Sequence, residues 1–206
     1  LYTGKLDLAE AFTAPLKSDR PDGLWSTVVT DERGIALGFC FSDQASIAAA
    51  LDRGIGVYHS RSRGLWVKGE SSGATQELIR IAADCDRDCL RFTVRQSGAG
   101  FCHLDTRTCW GEDQGLSKLM RRLEARRKAA PSGSYTARLF EDRDLLGAKL
   151  REEAEELATA PDRDNAAHEA ADILFFTLTT LAARDIPLED VEAILNQRAL
   201  KVTRRD

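Results

Sequence analysis

Apolar residues recur with two different periods along this chain, and the change comes near residue 110. From Leu24 to about Val94 the apolar runs are short. "WSTVV" and "IALGFCF" are rich in β-branched and aromatic residues and flank "TDERG", a polar turn with Gly34, which predicts a β-hairpin. In "SDQASIAAALDRG", Ser42 or Asp43 can cap a helix and Gly54 can end it. "GVYHS", "GLWVKG" and "ELIRIA" predict further short strands. In "LRFTVRQ", Leu90, Phe92 and Val94 alternate with Arg91, Thr93 and Arg95, the mark of a strand with one buried face.

Beyond "WGEDQGLS" the spacing is helical. "SKLMRRLEARRKAA" starts at a Ser117 cap and stops at Pro131, and "SYTARLFEDRDLLGAKLREEAEELATA" runs on to Pro161. "NAAHEAADILFFTLTTLAARD" and "PLEDVEAILNQRAL" predict two more helices. The pattern predicts two domains: a sheet-dominated α+β domain over residues 1–112 and an all-α helical bundle over residues 113–206. Residues 1–20 carry no interpretable motif, and there is no internal repeat.

Composition narrows the class. An apolar fraction of 43% with 30% charged residues supports packed cores and excludes a disordered chain. A net charge of -4 gives no general attraction to nucleic acid or to an anionic membrane. The basic run "RRLEARRK" is spread around its helix, so no nucleic-acid partner is expected. No apolar run approaches the roughly 20 residues that span a bilayer, and no secretory signal is visible, so a cytoplasmic protein is expected. An odd count of 5 cysteines then favours thiols or metal ligands over disulfides. The only methionine is Met120, from which the chain is expected to be a portion of a longer protein.

Candidate chemistry begins at "DCDRDCL". If this segment is extended, a period of two aims Asp84, Asp86 and Asp88 to one side and Cys85 to the other. Carboxylates suit Mg²⁺ and thiolates suit Zn²⁺. "GFCHLDTRTCWG" adds Cys102 and Cys109, and three thiols would leave a fourth zinc position open for a water. The alternative is an ordinary Asp-rich hairpin turn with buried structural cysteines, because the paired Cys-x-x-Cys spacing of structural zinc is absent. Upstream, "YHSRSRGLWVKGESSGATQ" sets Arg61, Arg63 and Lys68 among Ser60, Ser62, Ser71 and Ser72, a cationic and donor-rich pair of loops suited to phosphate. Trp66 offers a flat face to a base. On composition alone a solvated basic loop with a half-buried tryptophan is the better reading of the same segment.

Taken in order, "SRSRGLWVKGESSGATQ", "DCDRD" and "FCHLDTRTC" resemble phosphoribosyl-AMP cyclohydrolase, which hydrolyses the N1–C6 bond of an adenine ring. The resemblance covers about residues 20–112. It implies a homodimer with the active site at the subunit interface. Zinc would be held by Cys85 of one chain with Cys102 and Cys109 of the other, and Mg²⁺ by Asp84, Asp86 and Asp88. His103 becomes a candidate proton-transfer group, while Cys40 and Cys89 match no ligand position and read as core. His59 departs from the aromatic residue many members carry.

The helical half holds a second constellation. In "REEAEEL", Glu153 and Glu156 share one helix face, and Glu169 and Asp172 of "HEAAD" repeat the geometry on the next helix. Antiparallel packing across the Pro161 turn would bring four carboxylates together, and Mg²⁺ is the usual remedy for their repulsion. Glu152 beside them is a candidate base. Solvated acidic helix faces are common, but the apolar run "ILFFTLTTL" after Asp172 marks a buried helix. "GSYTARLF", Lys149, "EEAEE" and "EAAD" resemble phosphoribosyl-ATP pyrophosphohydrolase over about residues 116–196. That resemblance implies Mg²⁺ on Glu153, Glu156, Glu169 and Asp172, with Arg138 and Lys149 near phosphates. Phe175 and Phe176 stand where that family often has a Tyr-His pair.

Together the two resemblances imply a bifunctional histidine-biosynthesis enzyme acting on phosphoribosyl-ATP and then on phosphoribosyl-AMP. "GFCHL" and the tail "NQRALKVTRRD" are most similar to fungal multifunctional proteins, in which a histidinol dehydrogenase domain follows. A zinc deaminase reading is disfavoured because its His-x-Glu and Pro-Cys-x-x-Cys signature is absent.

Overall fold

A computed structural model of the protein describes residues 7–129, 131 and 133–200. The last residues of the tail motif, 201–206, lie outside them. The chain divides into two compact units, Leu1–Asp113 and Gln114–Asp206. The first is α+β and the second all-α.

The first unit is built on β1 (Trp25–Thr30), β2 (Ala36–Ser42), β3 (Val57–Ser60), β4 (Gly64–Val67), β5 (Gln76–Ala83) and β6 (Cys89–Gln96). They form one sheet in the order β4-β3-β2-β1-β6-β5. Every pairing is antiparallel except that of β1 with β6. Register sorts the faces. Thr27 stands between Cys40 and Leu90, and Val29 between Gly38 and Phe92, so these positions share one face. Val29, Leu90 and Phe92 then meet Ile47 and Ala50 of helix α2 (Gln44–Arg53) in a core that also takes in Tyr58 and Phe101.

Helix α2 begins in a capping box between Asp43 and Ser46 and ends at left-handed Gly54, so Asp43 rather than Ser42 is its cap. A short helix, α1 (Leu8–Thr13), capped by Asp7, lies in the segment whose sequence carried no motif.

One buried polar network ties the sheet to the loops at its end. Gln76, 1% exposed, accepts the Tyr58 hydroxyl at 2.6 Å and donates to Gln96 at 2.8 Å. The Gln96 amide in turn donates to the carbonyls of Ala74, Thr75 and Ser97. Buried polar groups left without partners cost about 1–3 kcal/mol each. Gln76→Leu strands both Tyr58 and Gln96, so it is expected to destabilise this unit by about 2–5 kcal/mol. Urea unfolding followed by tryptophan fluorescence checks this, since Trp25, Trp66 and Trp110 all belong to the first unit.

The second unit comprises α3 (Gly115–Ala129), α4 (Tyr135–Glu141), α5 (Arg143–Thr159), α6 (Arg163–Ala183) and α7 (Leu188–Leu200). Its apolar contacts fall into two clusters. Met120 and Leu123 of α3 meet Leu178 and Ala182 of α6, while Leu139, Leu146 and Phe176 form the other. Two expectations need correction. Helix α3 starts at Gly115, not after Ser117. The long run from Tyr135 is broken at Asp142, where the backbone turns extended and the carboxylate accepts the N–H groups of Asp144 and Leu145. Local bonding of this kind competes with a continuous helix and favours a new start. Among the described residues, no helix is long and apolar enough to cross a membrane.

Candidate active sites

Residues 97–111 follow β6 and carry Cys102, His103 and Cys109 on a loop that is neither strand nor helix. It folds back on itself because Phe101 N–H donates to Arg107 O and Cys102 N–H to Thr106 O. At its tip Asp105 takes a left-handed conformation, with φ of 58°. The loop is tied to the sheet by Cys109 N–H, which donates to Leu37 O at 2.8 Å. Gly38 is required beneath it, since a Cβ there would lie 2.2 Å from the Phe101 ring.

This folding brings Cys102 and Cys109 together. Hydrogen bonds from the Leu104 N–H and the Thr106 side chain lower the Cys102 pKa, while burial and the neighbouring Cys102 raise that of Cys109. The two thiols thus differ, Cys102 favouring its thiolate and Cys109 resisting ionisation beside it. A thiophilic cation relieves that resistance, which is the donor chemistry expected of a zinc site. His103 Nδ1 lies 3.9 Å from Cys102 Sγ. Cys85 is exposed on the β5–β6 turn, its thiol directed to Asp86 at 3.9 Å, and it joins no cluster with the other two thiols within one chain. Cys40 is buried in the core, where burial pushes its pKa up, and Cys89 is partly buried.

The thiols open into a cleft of about 540 Å³ that is also lined by Arg63, Trp66, Lys68, Ser71 and Ser72. Trp66 packs its indole on Tyr58 and Phe101, with the Arg63 guanidinium 5.7 Å from the ring. Lys68 lies on the turn after β4, yet it is not a solvated cation. It is only 6% exposed, donates to Ala74 O at 3.3 Å and faces the Phe101 ring, with its charge felt by both thiols. Ser60, Arg61 and Ser62 do not line this cleft: the two serine hydroxyls meet at 3.3 Å on the β3–β4 turn, and Arg61 lies over the Phe41 ring. His59 bonds the Asp43 carboxylate at 2.7 Å, beside the α2 cap. Phe101, the aromatic floor of the cleft, had no distinguishing mark in the sequence.

The acidic segment departs from expectation. Residues 84–88 are a turn between β5 and β6, not an extended strand end, and Arg87 sits at φ of 70°. The turn converges the acids more closely than a strand would: Asp84, Asp86 and Asp88 each present an oxygen within 4.8 Å of the others. Asp84 is held by the N–H groups of Cys89 and Asp88, which lower its pKa, whereas the charge of Asp86 raises that of Asp88. Such crowding suits a divalent cation with oxygen preference.

In the second unit, Glu153 of α5 and Glu169 of α6 meet Glu156, again with oxygens within 4.8 Å. Glu153 is 7% exposed, and burial together with Glu156 and Glu153 raises the pKa of Glu169. The donors are all carboxylate oxygens, which fits Mg²⁺. Asp172 is exposed and outside this group, so three carboxylates converge rather than four. It lies about 4.5 Å further along the helix axis and its side chain is one methylene shorter. Lys149 is bound to Glu152 at 2.8 Å and to Glu153 at 3.6 Å, while Arg138 is exposed on α4. Phe176 is buried in the helical core with Phe175 packed edge-on against it.

Comparison with known proteins matches each unit separately. Residues 39–111 fit the phosphoribosyl-AMP cyclohydrolase family and residues 116–199 the phosphoribosyl-ATP pyrophosphohydrolase family. The histidine biosynthesis bifunctional protein of Schizosaccharomyces pombe is 51% identical over 201 residues, covering 98% of this chain and 48% of that protein. The histidine biosynthesis trifunctional protein of Neurospora crassa is 51% identical over 202 residues, covering 98% of this chain and 23% of that one. The chain thus spans about half the length of the first and about a quarter of the second. The histidine biosynthesis bifunctional protein HisIE of Deinococcus radiodurans is 38% identical over 196 residues, covering 86% of this chain and 89% of that protein. With both domains present in that order, this chain belongs to the family of bifunctional histidine biosynthesis proteins that join a phosphoribosyl-AMP cyclohydrolase to a phosphoribosyl-ATP pyrophosphohydrolase.

Proposed function

We propose that the second unit hydrolyses phosphoribosyl-ATP to phosphoribosyl-AMP and pyrophosphate, and that the first then hydrolyses the N1–C6 bond of the adenine ring. The observation that carries the reading is the cleft itself, in which Cys102, His103 and Cys109 share one space with Arg63, Trp66, Ser71 and Ser72. Cys102 and Cys109 would hold zinc, which when bound supplies the acidity that makes a water nucleophilic at neutral pH. Trp66 would offer its indole to the purine, and Arg63, Ser71 and Ser72 would donate to phosphate oxygens. His103, whose Nδ1 lies 3.9 Å from Cys102 Sγ, would transfer a proton beside the thiols.

Within one chain Cys85 stays apart from the thiol pair, which supports a homodimer in which Cys85 of a second copy completes the zinc ligands. Mg²⁺ on Asp84, Asp86 and Asp88 would help to hold phosphate. In the second unit Glu153, Glu156 and Glu169, with Asp172 at the margin, would hold Mg²⁺ against the triphosphate. Glu152 would orient the water, and Lys149 and Arg138 would serve the phosphates.

The test supplies phosphoribosyl-ATP to the purified chain and follows pyrophosphate release and ring opening separately. Pyrophosphate is expected first, with ring opening after a lag. Zinc chelation is expected to remove the second signal and spare the first, and ring opening without prior pyrophosphate release overturns the assignment.

A further inference from the structure

Between the two thiols in sequence, the thiol loop carries Arg107, whose charged side chain leaves the loop for the sheet. Arg107 closes the loop with its backbone carbonyl, which accepts the Phe101 N–H at 3.1 Å. Its guanidinium reaches away from the cleft, donating through Nη2 to Asp31 Oδ2 at 3.3 Å and through Nη1 to Gln96 O at 3.4 Å. Asp31 is fully buried at 0% exposure, and its other oxygen, Oδ1, accepts the N–H groups of Arg33 at 3.1 Å and Ile35 at 2.9 Å. One carboxylate is therefore divided between two segments. Oδ1 fixes the β1–β2 turn, and Oδ2 fixes the loop that carries Cys102 and Cys109.

The Arg107 side chain is 12% exposed and that of Asp31 1%, so water screens this pair little. Removing either partner leaves a buried charge uncompensated, which makes the arrangement two-sided and rigid. The fork of the guanidinium matters too, because it spans the Asp31 carboxylate and the Gln96 carbonyl at once, and a lysine ammonium lacks that planar reach. Gln96 belongs to the network that also roots the Ala74 turn, so the pair links the thiol loop to the same frame that carries Lys68 and Ser72.

We propose that the Asp31–Arg107 ion pair is the positioning device of the thiol site: it sets how closely Cys102 and Cys109 are held, and through that spacing the affinity for a thiophilic divalent cation. The inference rests on reading those thiols as metal ligands. Neither residue touches substrate or metal. Groups that orient ligands from behind typically change metal affinity by about 10- to 100-fold when lost.

The test uses the full chain with Asp31→Asn, which keeps the turn-capping oxygen, and Arg107→Lys, which keeps the charge. Two readouts are taken: Co²⁺ affinity from thiolate-to-cobalt absorption, and capture of phenylarsine oxide by the metal-free protein, which requires two neighbouring sulfurs. Both variants are expected to bind Co²⁺ about 10- to 100-fold more weakly and to capture the arsenical more slowly, with pyrophosphate release from phosphoribosyl-ATP unchanged. Val94→Ala, which loosens the same core without touching the pair, is expected to stay within about twofold of wild type on both readouts. Wild-type behaviour of the folded Asp31→Asn and Arg107→Lys variants overturns the proposal, as does an equal loss in Val94→Ala. If wild type shows no thiolate-cobalt absorption, the metal reading fails; arsenical capture then decides the positioning role alone, slower capture upholding it and equal capture overturning it.

Discussion

Cys102→Ser is expected to stop ring opening while pyrophosphate continues to be released from phosphoribosyl-ATP at the wild-type rate. The two thiols of the cleft are unequal: hydrogen bonds from the Leu104 N–H and the Thr106 side chain favour the thiolate at Cys102, whereas Cys109 is penalised by burial and by its neighbour's charge. On the proposed reading Cys102 would be the stronger anionic donor to a bound cation, and Cys109 would ionise more readily once that cation is present. Serine preserves the size and the hydrogen bonding but not the ionisation, so the cation loses its anionic donor. A bound cation that lowers the pKa of a water by several units would be worth several powers of ten in rate, at about 1.4 kcal/mol each. The expected fall in ring opening is on the order of a thousandfold or more. Phosphoribosyl-AMP supplied directly, with zinc content measured on the same sample, gives the decisive comparison. A variant that opens the ring at the wild-type rate removes Cys102 from the chemistry.

Local rules carried the sequence a long way where local rules decide the outcome. The "TDERG" hairpin, the alternation through Leu90, Phe92 and Val94, and the Gly54 stop all follow from side-chain period and backbone preference, and all stand in the structure. The failures share a cause. Reading residues 84–88 as extended ignored that β5 and β6 must reverse direction there, and the reversal is what gathers the three acids. The break at Asp142 was invisible because the apolar period continues across it, while the deciding bond is a side-chain cap. The burial of Lys68 was not legible because nothing in "WVKGES" shows that Phe101, over thirty residues on, will cover it. The tie between Gln76, Gln96 and Tyr58 likewise joins residues 18 and 20 apart, beyond the reach of any periodic pattern. Acids gathered by one turn or one helix pair were thus largely legible as clusters, whereas the burial of Lys68 and the Gln76 network, set by tertiary closure, were not.

Glu153→Gln is expected to abolish pyrophosphate release and, with phosphoribosyl-ATP as substrate, to silence ring opening as well. Glu153 is the most buried of the three converging carboxylates, at 7% exposure, and it faces Glu156 and Glu169 within 4.8 Å while Lys149 Nζ lies 3.6 Å away. In that position its charge raises the cost of ionising Glu169, and on the proposed reading it would also attract a divalent cation. Glutamine removes the charge without changing the shape. Repulsion inside the cluster falls, so the metal-free variant should unfold at the same temperature as wild type or higher, whereas stabilisation by added Mg²⁺ should be lost. A drop of about 10²- to 10³-fold in pyrophosphate release is expected, since one anionic ligand of the three is gone and the phosphate oxygens lose their neutralising partner. Phosphoribosyl-AMP supplied directly should still be opened at the wild-type rate, because the thiol cleft lies in the other unit. That pairing of results separates a lost catalytic charge from a lost fold, and a Glu153→Gln protein that releases pyrophosphate normally removes the acidic helix pair from the reaction.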